Sequence, residues 1–323
     1  DIDGLTATCV LLDAFEAFGI RASAFIPNRF VEGYGLSKTA VETLAAEGVQ
    51  LIVTVDCGSL SHKEIERARE LNVDVIVTDH HSVSDVMPDA IGVINPKRLL
   101  HTRPELYEMF SLKADEAVYP FVDLAGVGVA FKLVQALQTR LPGLAPGQEK
   151  WLLDLVALGT VCDVVTLRDE NRAIVRWGLE VMKKTRRPGI RALLAVSRVK
   201  PSELTARSLG FGLGPRLNAA GRLETAQLSL DLLRATDPMK ALELAEKLDE
   251  MNTARKTEQA RIVKEAIVKA DQLVDDPVLI VSDPSWSHGI IGIVAAKLLE
   301  RYRKPTFVLQ ELDDGTAKGS ARS

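Results

Sequence analysis

Carboxylate and imidazole side chains recur in four short motifs along the first half of the chain. The motifs are Asp1-Ile-Asp3-Gly, Val-Asp56-Cys-Gly, Asp79-His80-His81 and Val-Cys-Asp163-Val. Carboxylates gathered in one crevice repel each other by about 4 kcal/mol per pair at 4 Å and an effective dielectric constant of 20. A fold that gathers them needs cations to offset this repulsion. Carboxylates combined with imidazole suit Mn²⁺ or Mg²⁺, and the imidazole favours Mn²⁺.

Each motif taken alone has a simpler interpretation. An aspartate after a strand usually forms a turn or caps a helix, and a histidine pair lies more often on a surface or in a core than on a metal. The combination of motifs reverses these odds and predicts a binuclear metal site. Two divalent ions about 3.5–4 Å apart can activate a water and hold both the attacking and the leaving oxygen of a phosphodiester.

The segments around these motifs predict the elements that position them. Residues 51–55 and 73–78 are apolar, β-branched runs, and the charged stretch 62–71 between them has a helical pattern. A strand, a helix and a second strand within about 30 residues form a βαβ unit, which implies a parallel sheet. Chemistry in such sheets lies beyond the carboxyl ends of the strands. Asp56 and Asp79, which follow the two runs, are therefore expected at the same edge.

The composition is that of a globular protein. The 323 residues are 46% hydrophobic and 26% charged, a length that suits two domains. No stretch approaches the roughly 18 consecutive apolar residues of a membrane helix. Three cysteines without a CxxC pair predict no disulfide framework and a reducing compartment, and Cys57 and Cys162 are interpreted as packing residues. The net charge of −4 excludes a globally basic nucleic-acid binder but allows a local basic patch.

The second half of the chain begins with a long polar segment. Residues 238–274 are rich in Ala, Glu, Lys, Leu and Arg and contain no glycine. The pattern predicts a helix of roughly 50 Å that connects two domains. A strand, a helix and another strand follow over 277–283, 289–302 and 305–310. We predict an α/β fold with a first domain over 1–235, a connector helix over 236–275 and a partial second α/β domain over 276–323.

Several segments could bind phosphate. Arg216 and Arg222 flank Asn218 in the glycine-rich stretch 209–223, predicted to be a loop, although solvated arginines in a connecting loop explain it equally well. His288 precedes an apolar helix, where backbone amides attract phosphate, or it caps that helix. The basic run 183–200 is a solvated helix face or a guide for single-stranded DNA. The tryptophans are interpreted as core or boundary residues: Trp151, Trp177 and Trp286.

In order and spacing, the four motifs resemble those of the DHH phosphoesterase superfamily, and within it the RecJ family of single-strand-specific 5′→3′ exonucleases. The resemblance extends through nearly the whole chain. The further matching blocks are residues 27–36 (PNRFVEGYGL), 124–130 (LAGVGVA), 212–222 (GLGPRLNAAGR), 287–294 (SHGIIGIV) and the terminal GSARS. Residues before Asp1, the family motif GGHxxAAG and the OB-fold module have no counterpart in these 323 residues, so we expect one ligand and part of the strand-binding surface to be missing.

The resemblance assigns roles to individual residues. It implies two divalent ions, Mn²⁺ or Mg²⁺, with Asp56 bridging them, and catalytic roles for Asp56, His81 and Asp79. The implied metal ligands are Asp1, Asp3, Asp56, His80 and Asp163. The implied DNA or phosphate contacts are Arg29, Arg216, Asn218, Arg222, His288, Ser320 and Arg322.

The resemblance also implies a biological setting and a domain type. The first domain would be a DHH domain and the partial second one of the DHHA1 type. The activity would be hydrolysis of single-stranded DNA from its 5′ end in DNA repair and recombination, in the bacterial cytoplasm. Single-strand-binding protein and a RecQ-type helicase are the implied partners, and no membrane association is expected.

Two other functions remain open at this point. A smaller DHH phosphodiesterase that acts on oligoribonucleotides or cyclic dinucleotides would share the metal motifs, although the blocks at 27–36 and 214–222 argue against it. A catalytically inactive scaffold that binds DNA would have lost metal ligands, whereas the ligand positions present in this chain are filled.

Overall fold

A computed structural model describes residues 1–27, 33, 35–98, 121–223 and 225–323. Within these residues the chain forms two three-stranded sheets, each with its own helices, and one long helix that packs against helices of both halves. This architecture confirms the predicted α/β class. The described residues include no helix long and apolar enough to cross a membrane.

The first sheet is wholly parallel, as predicted, and its strands follow sequence order. Its strands are β1 (Leu51–Val55), β2 (Asp74–Thr78) and β3 (Gly92–Ile94). Leu51 pairs with Asp74 and Val55 with Thr78, so the carboxyl ends of β1 and β2 are level. Helix α3 (His62–Glu70) makes the crossover from β1 to β2, and α2 (Lys38–Ala46) packs beside it.

Three helices pack around the carboxyl edge of this sheet and form the centre of the larger core. Helix α1 (Ile2–Ala17) packs against α4 (Gly126–Gln138) and α5 (Leu153–Cys162). Apolar residues cover nearly every face of α5, which explains why it can lie in the middle of a helical layer. The carboxylate of Asp1 caps α1 by accepting a hydrogen bond from the amide of Gly4 (3.2 Å).

In the described part of the first half, four further helices and a π-helical turn follow. They are α6 (Asp169–Met182), α7 (Pro188–Val196), the π turn (Ser208–Leu213), α8 (Gly214–Leu223) and α9 (Gln227–Arg234). Short 3₁₀ turns lie at Gln148–Leu152 and Pro201–Glu203. The loop predicted over 209–223 is wrong: glycines there allow close packing of helices, as at Gly214, where an added Cβ would lie 2.7 Å from the Cys162 sulfur.

The long polar segment is one helix, α10 (Pro238–Asp271), of 34 residues. Its first half packs on α7, α8 and α9, and its second half packs on α11 (His288–Tyr302). The second sheet has the order β4 (Leu279–Ser282), β5 (Thr306–Glu311) and β6 (Ala317–Arg322). The β4–β5 pair is parallel, whereas β6 runs antiparallel to β5.

The tryptophans do not share one environment. Trp286 is fully buried in the second core, as predicted. Trp151 and Trp177 are 52% and 61% exposed, so their predicted core or boundary position is wrong. Both lie on helical segments whose other face supplies the apolar contacts. The basic run 183–200 contains α7, whose Ile190 and Leu193 are buried while its basic residues lie toward solvent or in ion pairs.

Candidate metal centre and phosphate-binding residues

The carboxyl edge of the first sheet positions four of the predicted site residues. Asp56 directly follows β1, and its amide donates to the carbonyl of Thr78 in the next strand (3.0 Å). Its φ of 58° lies in the left-handed region, which is uncommon for a residue other than glycine. The Asp79 amide donates in turn to the carbonyl of Ile94 (3.0 Å). The sheet ladder therefore holds Asp56, Asp79 and the following histidines at one edge.

Asp3, Asp56 and Asp163 converge on the imidazole of His80. The Nε2 atom of His80 lies 3.1 Å from Asp56 Oδ1 and 3.6 Å from an oxygen of each of the other two. These side chains come from α1, the end of β1, the end of β2 and the carboxyl end of α5. They are 1–21% exposed, so the structure gathers them in a nearly closed site.

Burial and mutual repulsion disfavour the charged form of the three carboxylates. Burial, reinforced by the charges of Asp56 and Asp163, raises the pKa of Asp3 to about 7. Burial raises the pKa of Asp56 to about 6, and the charge of Asp163 adds to this increase. Burial also raises the pKa of Asp163. The cluster is therefore unfavourable by itself and would be relieved by positive charge.

Backbone groups hold Asp3 in this position. The amides of Gly126 and Val127, at the start of α4, donate to its two carboxylate oxygens (2.6 and 2.8 Å). A Cβ at Gly126 would lie 2.9 Å from Asp56 Oδ1 and 3.0 Å from Asp3 Oδ2, so only glycine allows this approach. The block LAGVGVA thus supplies the amino end of a helix to a buried carboxylate, a role that the residues alone had not indicated.

Asp79 orients the histidine pair rather than joining the carboxylate cluster. It accepts from His81 Nδ1 (2.8 Å) and from the amides of Ser59 (2.9 Å) and His80 (2.8 Å). Burial opposes its ionisation, but these hydrogen bonds hold its pKa well below the usual range. The hydrogen bond to Asp79 in turn raises the pKa of His81. The side chain of His81 is 59% exposed, so it faces the open side of the cluster.

Asn95 belongs to the same network and was not singled out from the sequence. Its amide nitrogen donates to the carbonyl of His81 (3.0 Å) and to the hydroxyl of Ser59 (2.9 Å). Asn95 directly follows β3, just as Asp56 and Asp79 follow β1 and β2. The expectation that site residues directly follow the carboxyl ends of parallel strands would also have identified Asn95, had the short strand β3 been recognised in the sequence.

The geometry fits a pair of divalent cations. Among the described residues, neither Asp56 Oδ1 nor His80 Nε2 has a hydrogen-bond partner, although both are buried. Asp56, His80 and His81 form one potential ligand group, and Asp3, His80 and Asp163 form a second. Carboxylate and imidazole donors suit Mn²⁺ and, for the carboxylates, Mg²⁺. Burial raises the pKa of the neighbouring Cys57 and Cys162 thiols to about 12, so neither offers a thiolate.

Asp1 lies beside this cluster without belonging to either group of ligand atoms. A Cβ at Gly4 would lie 3.4 Å from Asp56 Oδ2 and 3.9 Å from Asp1 Oδ1. The carboxylates of Asp1 and Asp56 therefore face the same short stretch of α1. Asp1 therefore stays a predicted ligand that lies on the Asp56 side of the cluster.

Four of the predicted phosphate-binding residues meet at the amino end of α11. Arg222, at the end of α8, donates from Nη1 to the carbonyl of Gly289 (3.2 Å), next to His288. Arg322 donates to the hydroxyl of Ser320 (3.1 Å) on β6. A Cβ at Gly292 would lie 3.3 Å from that hydroxyl and 3.8 Å from Arg322 Nη2. We call Arg222, His288, Ser320 and Arg322 the basic cluster.

The other predicted phosphate contacts stand apart. Arg216 is bound to Asp249 (2.7 Å) and to the carbonyl of Gly212 (2.7 Å), which joins α8 to α10. Asn218 lies in the middle of α8 and is half-buried. The glycine-rich loop that was expected to offer amides to a phosphate is therefore a helix. Arg29 lies outside the described residues.

Comparisons with known proteins agree with this geometry. Residues 1–160 match the DHH family, N-terminal domain. The chain is 39% identical over 325 residues to the single-stranded-DNA-specific exonuclease RecJ of Bacillus subtilis (strain 168). The alignment covers all of this chain and 38% of that protein. It is 40% identical over 338 residues to the RecJ exonuclease of Salmonella typhimurium (strain LT2), covering all of this chain and 56% of that protein.

A solved structure is similar over the whole chain. The crystal structure of exonuclease RecJ bound to manganese matches with a TM-score of 0.84 and 33% identity, covering all of this chain and 75% of that one. The carboxylate–imidazole cluster at the edge of the parallel sheet, together with the family match over residues 1–160, defines the class as DHH-domain proteins. The chain belongs to the RecJ family of DHH-domain proteins. It spans 38% and 56% of the length of the two curated relatives above.

Proposed function

We propose that the protein is a metal-dependent exonuclease that hydrolyses phosphodiester bonds of single-stranded DNA from the 5′ end. The observation that carries this proposal is the convergence of Asp3, Asp56 and Asp163 on His80, with Asp56 Oδ1 and His80 Nε2 buried and without hydrogen-bond partners in the described part of the chain. The printed names of the relatives, which are single-stranded-DNA-specific exonucleases, support the choice of substrate.

Five side chains would hold two divalent cations. The manganese in the related RecJ structure supports Mn²⁺ as the ion, and Mg²⁺ is the alternative. When bound, the ions would supply positive charge for the phosphate and a water of lowered pKa. The proposed ligands are Asp1, Asp3, Asp56, His80 and Asp163.

His81 acts from the open side of the cluster. Its Nδ1 is hydrogen bonded to Asp79, which leaves Nε2 directed away from that carboxylate. Asp79 favours the protonated imidazole, as the raised pKa of His81 shows. We assign His81 to contact with the scissile phosphate and to protonation of the departing oxygen, and Asp79 to holding His81 in orientation.

The basic cluster receives the 5′ phosphate of the strand. Arginine side chains and the amino end of a helix both favour a dianionic phosphate, and Gly292, the fifth residue of α11, faces Ser320 and Arg322. Arg29, Arg216 and Asn218 remain proposed DNA contacts, with Arg216 acting only if its ion pair with Asp249 opens.

The domain boundaries and the cellular setting are part of the same proposal. The DHH domain spans 1–235, the connector helix 236–275 and a partial DHHA1 domain 276–323. The enzyme would act in DNA repair and recombination in the bacterial cytoplasm, with single-strand-binding protein and a RecQ-type helicase as partners.

The test is incubation with Mn²⁺ and single-stranded DNA that is labelled at one end, beside an Asp56→Ala variant and a Mn²⁺-binding titration. We expect mononucleotides from the 5′ end with the unmutated protein only. Cleavage of dinucleotides without attack on long DNA would identify a small-substrate phosphodiesterase instead. Mn²⁺ binding without any hydrolysis would identify a scaffold.

A further inference from the structure

The π turn presents one aromatic side chain to solvent. Leu209 and Leu213 are fully buried in the main core, whereas Phe211, midway between them, is 73% exposed. With slightly more than four residues per turn, two buried residues four apart direct the residue between them outward. π-helical turns are rare and occur frequently at functional sites. The local backbone thus holds Phe211 away from the core, where an exposed phenyl ring contributes little to stability.

The π turn lies against residues next to the candidate metal ligands. A Cβ at Gly214, the residue that follows the turn, would lie 2.7 Å from the sulfur of Cys162 and 3.4 Å from Ile2 Cδ1. Ile2 stands between Asp1 and Asp3, and Cys162 immediately precedes Asp163. The Cys162 thiol also contacts the carbonyl of Leu209 (3.8 Å). Phe211 is therefore carried by the segment that borders the metal centre.

Two further features occur on the segments that border the metal centre. The guanidinium of Arg207 lies 5.0 Å from the centre of the phenyl ring and contacts one of its faces. Val164, directly after Asp163, is 86% exposed and has a φ of 62°, a strained conformation for a β-branched residue. Such strain is concentrated at functional sites. Here it turns the apolar side chain of Val164 outward, directly after the candidate ligand Asp163.

We propose that Phe211, with Arg207 on one face of its ring, is a stacking platform for one unpaired nucleobase of the strand that is being hydrolysed. Aromatic rings bind bases of any sequence because every base has a flat face, and arginine adds attraction to ring and phosphate. A base can reach such a ring only when it is free of a partner strand. Phe211 thus becomes a residue that determines specificity for single strands.

This inference rests on the proposed function, so the experiment separates the two. Hydrolysis of single-stranded DNA by the unmutated protein is compared with that by Phe211→Ala and Phe211→Trp. We expect Phe211→Ala to raise KM by about 5- to 150-fold, the range found for loss of one stacked base. Phe211→Trp should restore KM, and both variants should bind Mn²⁺ with the unmutated affinity. Trp177→Ala, which removes a similarly exposed aromatic residue from α6, is the matched control and should change nothing.

Substrates with one abasic nucleotide at successive positions provide the decisive readout. With the unmutated protein, one position should raise KM strongly. With Phe211→Ala that position should have no further effect, because the base and the ring form one interaction. Fluorescence anisotropy with the same oligonucleotides repeats the comparison as binding, so failure of the exonuclease proposal does not decide this one. The stacking role is overturned if Phe211→Ala responds like the unmutated protein at every position. It is also overturned if the variant loses Mn²⁺ affinity in parallel, since the substitution would then have damaged the metal centre.

Discussion

The carboxylate cluster and the basic cluster are both built where chain segments meet, but they satisfy their polar groups in opposite ways. Asp3, Asp56 and Asp163 are directed at one another and at His80 in a nearly closed site. Arg222 and Arg322 instead bind a carbonyl and a hydroxyl in a half-buried or exposed position. The first arrangement is unfavourable without a cation, whereas the second is stable without a ligand.

The difference indicates what each region binds. Like charges in a buried site raise the pKa of their own members, which is visible at Asp3 and Asp56. A fold retains this cost only where a bound ion offsets it. Exposed arginines beside the amino end of a helix can receive and release an anion without reorganising the core. The difference thus favours bound cations at the carboxylate cluster and supports the proposal that the basic cluster takes up a phosphate transiently.

The largest expected effect is at the imidazole shared by both ligand groups. We expect His80→Ala to lower kcat/KM by more than the roughly 10- to 100-fold typical of residues that only orient ligands. It should also reduce any preference for Mn²⁺ over Mg²⁺, because the imidazole is the donor that favours Mn²⁺. Initial rates with each metal measure both effects. His62→Ala, on α3, is the control, and an equal loss there would show that folding rather than the metal centre was damaged.

A smaller effect is expected where the network only orients. Asp79→Asn should lower kcat by about 10- to 100-fold with little change in Mn²⁺ affinity. Loss of the charge removes the support for protonated His81, so activity that needs the imidazolium should decline at lower pH than in the unmutated protein. A pH–rate profile measures this shift, and Asp74→Asn at the start of the same strand should leave it in place. An unshifted profile would mean that His81 does not supply the proton.

Substitutions in the basic cluster should have a milder effect, limited to recognition of the 5′ end of the strand. Arg322→Ala should reduce the preference for a 5′-phosphorylated over a 5′-hydroxyl strand by about 10-fold, since a hydrogen bond to a charged group contributes roughly 1.5 kcal/mol or more. Mn²⁺ titrations should be unchanged, and Lys318→Ala on the same strand should preserve the preference. A large change in Mn²⁺ affinity would show that the two clusters are coupled and contradict the comparison.

The smallest effect is on stability. Because the folded-state pKa of Asp3 is raised to about 7, the metal-free protein should lose stability as the pH rises from about 4 to 7. Asp163→Asn should make this decline shallower by removing one charge, and Mn²⁺ should then stabilise the variant less. Melting temperatures in EDTA and in Mn²⁺ at pH 5 and pH 8 measure the difference. Asp85→Asn, in an exposed segment, should melt like the unmutated protein.

The parts predictable from sequence were those governed by strand ends. Apolar runs before Asp56 and Asp79 sufficed to place both at one sheet edge, since parallel strands share their polarity. The sequence did not reveal that the amides of Gly126 and Val127 bind the Asp3 carboxylate. These amides lie more than a hundred residues from Asp3 in sequence, and a backbone amide has no side chain that could mark it. The prediction of a loop over 209–223 is wrong because several glycines in a short stretch usually indicate a loop. Here the glycines are the small residues that allow helices to pack closely.

Helix α10 determines how the two halves can move. Its apolar residues up to Met251 belong to the first core, and those from Ile262 onward belong to the second. Between these two sets of residues lie about 15 Å of helix. In this span Asn252 and Arg255 are buried, and Arg255 donates a hydrogen bond to Asn252 (3.1 Å). Both cores therefore share one helix, and the hydrogen bond from Arg222 to Gly289 is a second link between them. A change in the bend of that short span would alter the distance between Arg222, on the first core, and Ser320 and Arg322, on the second.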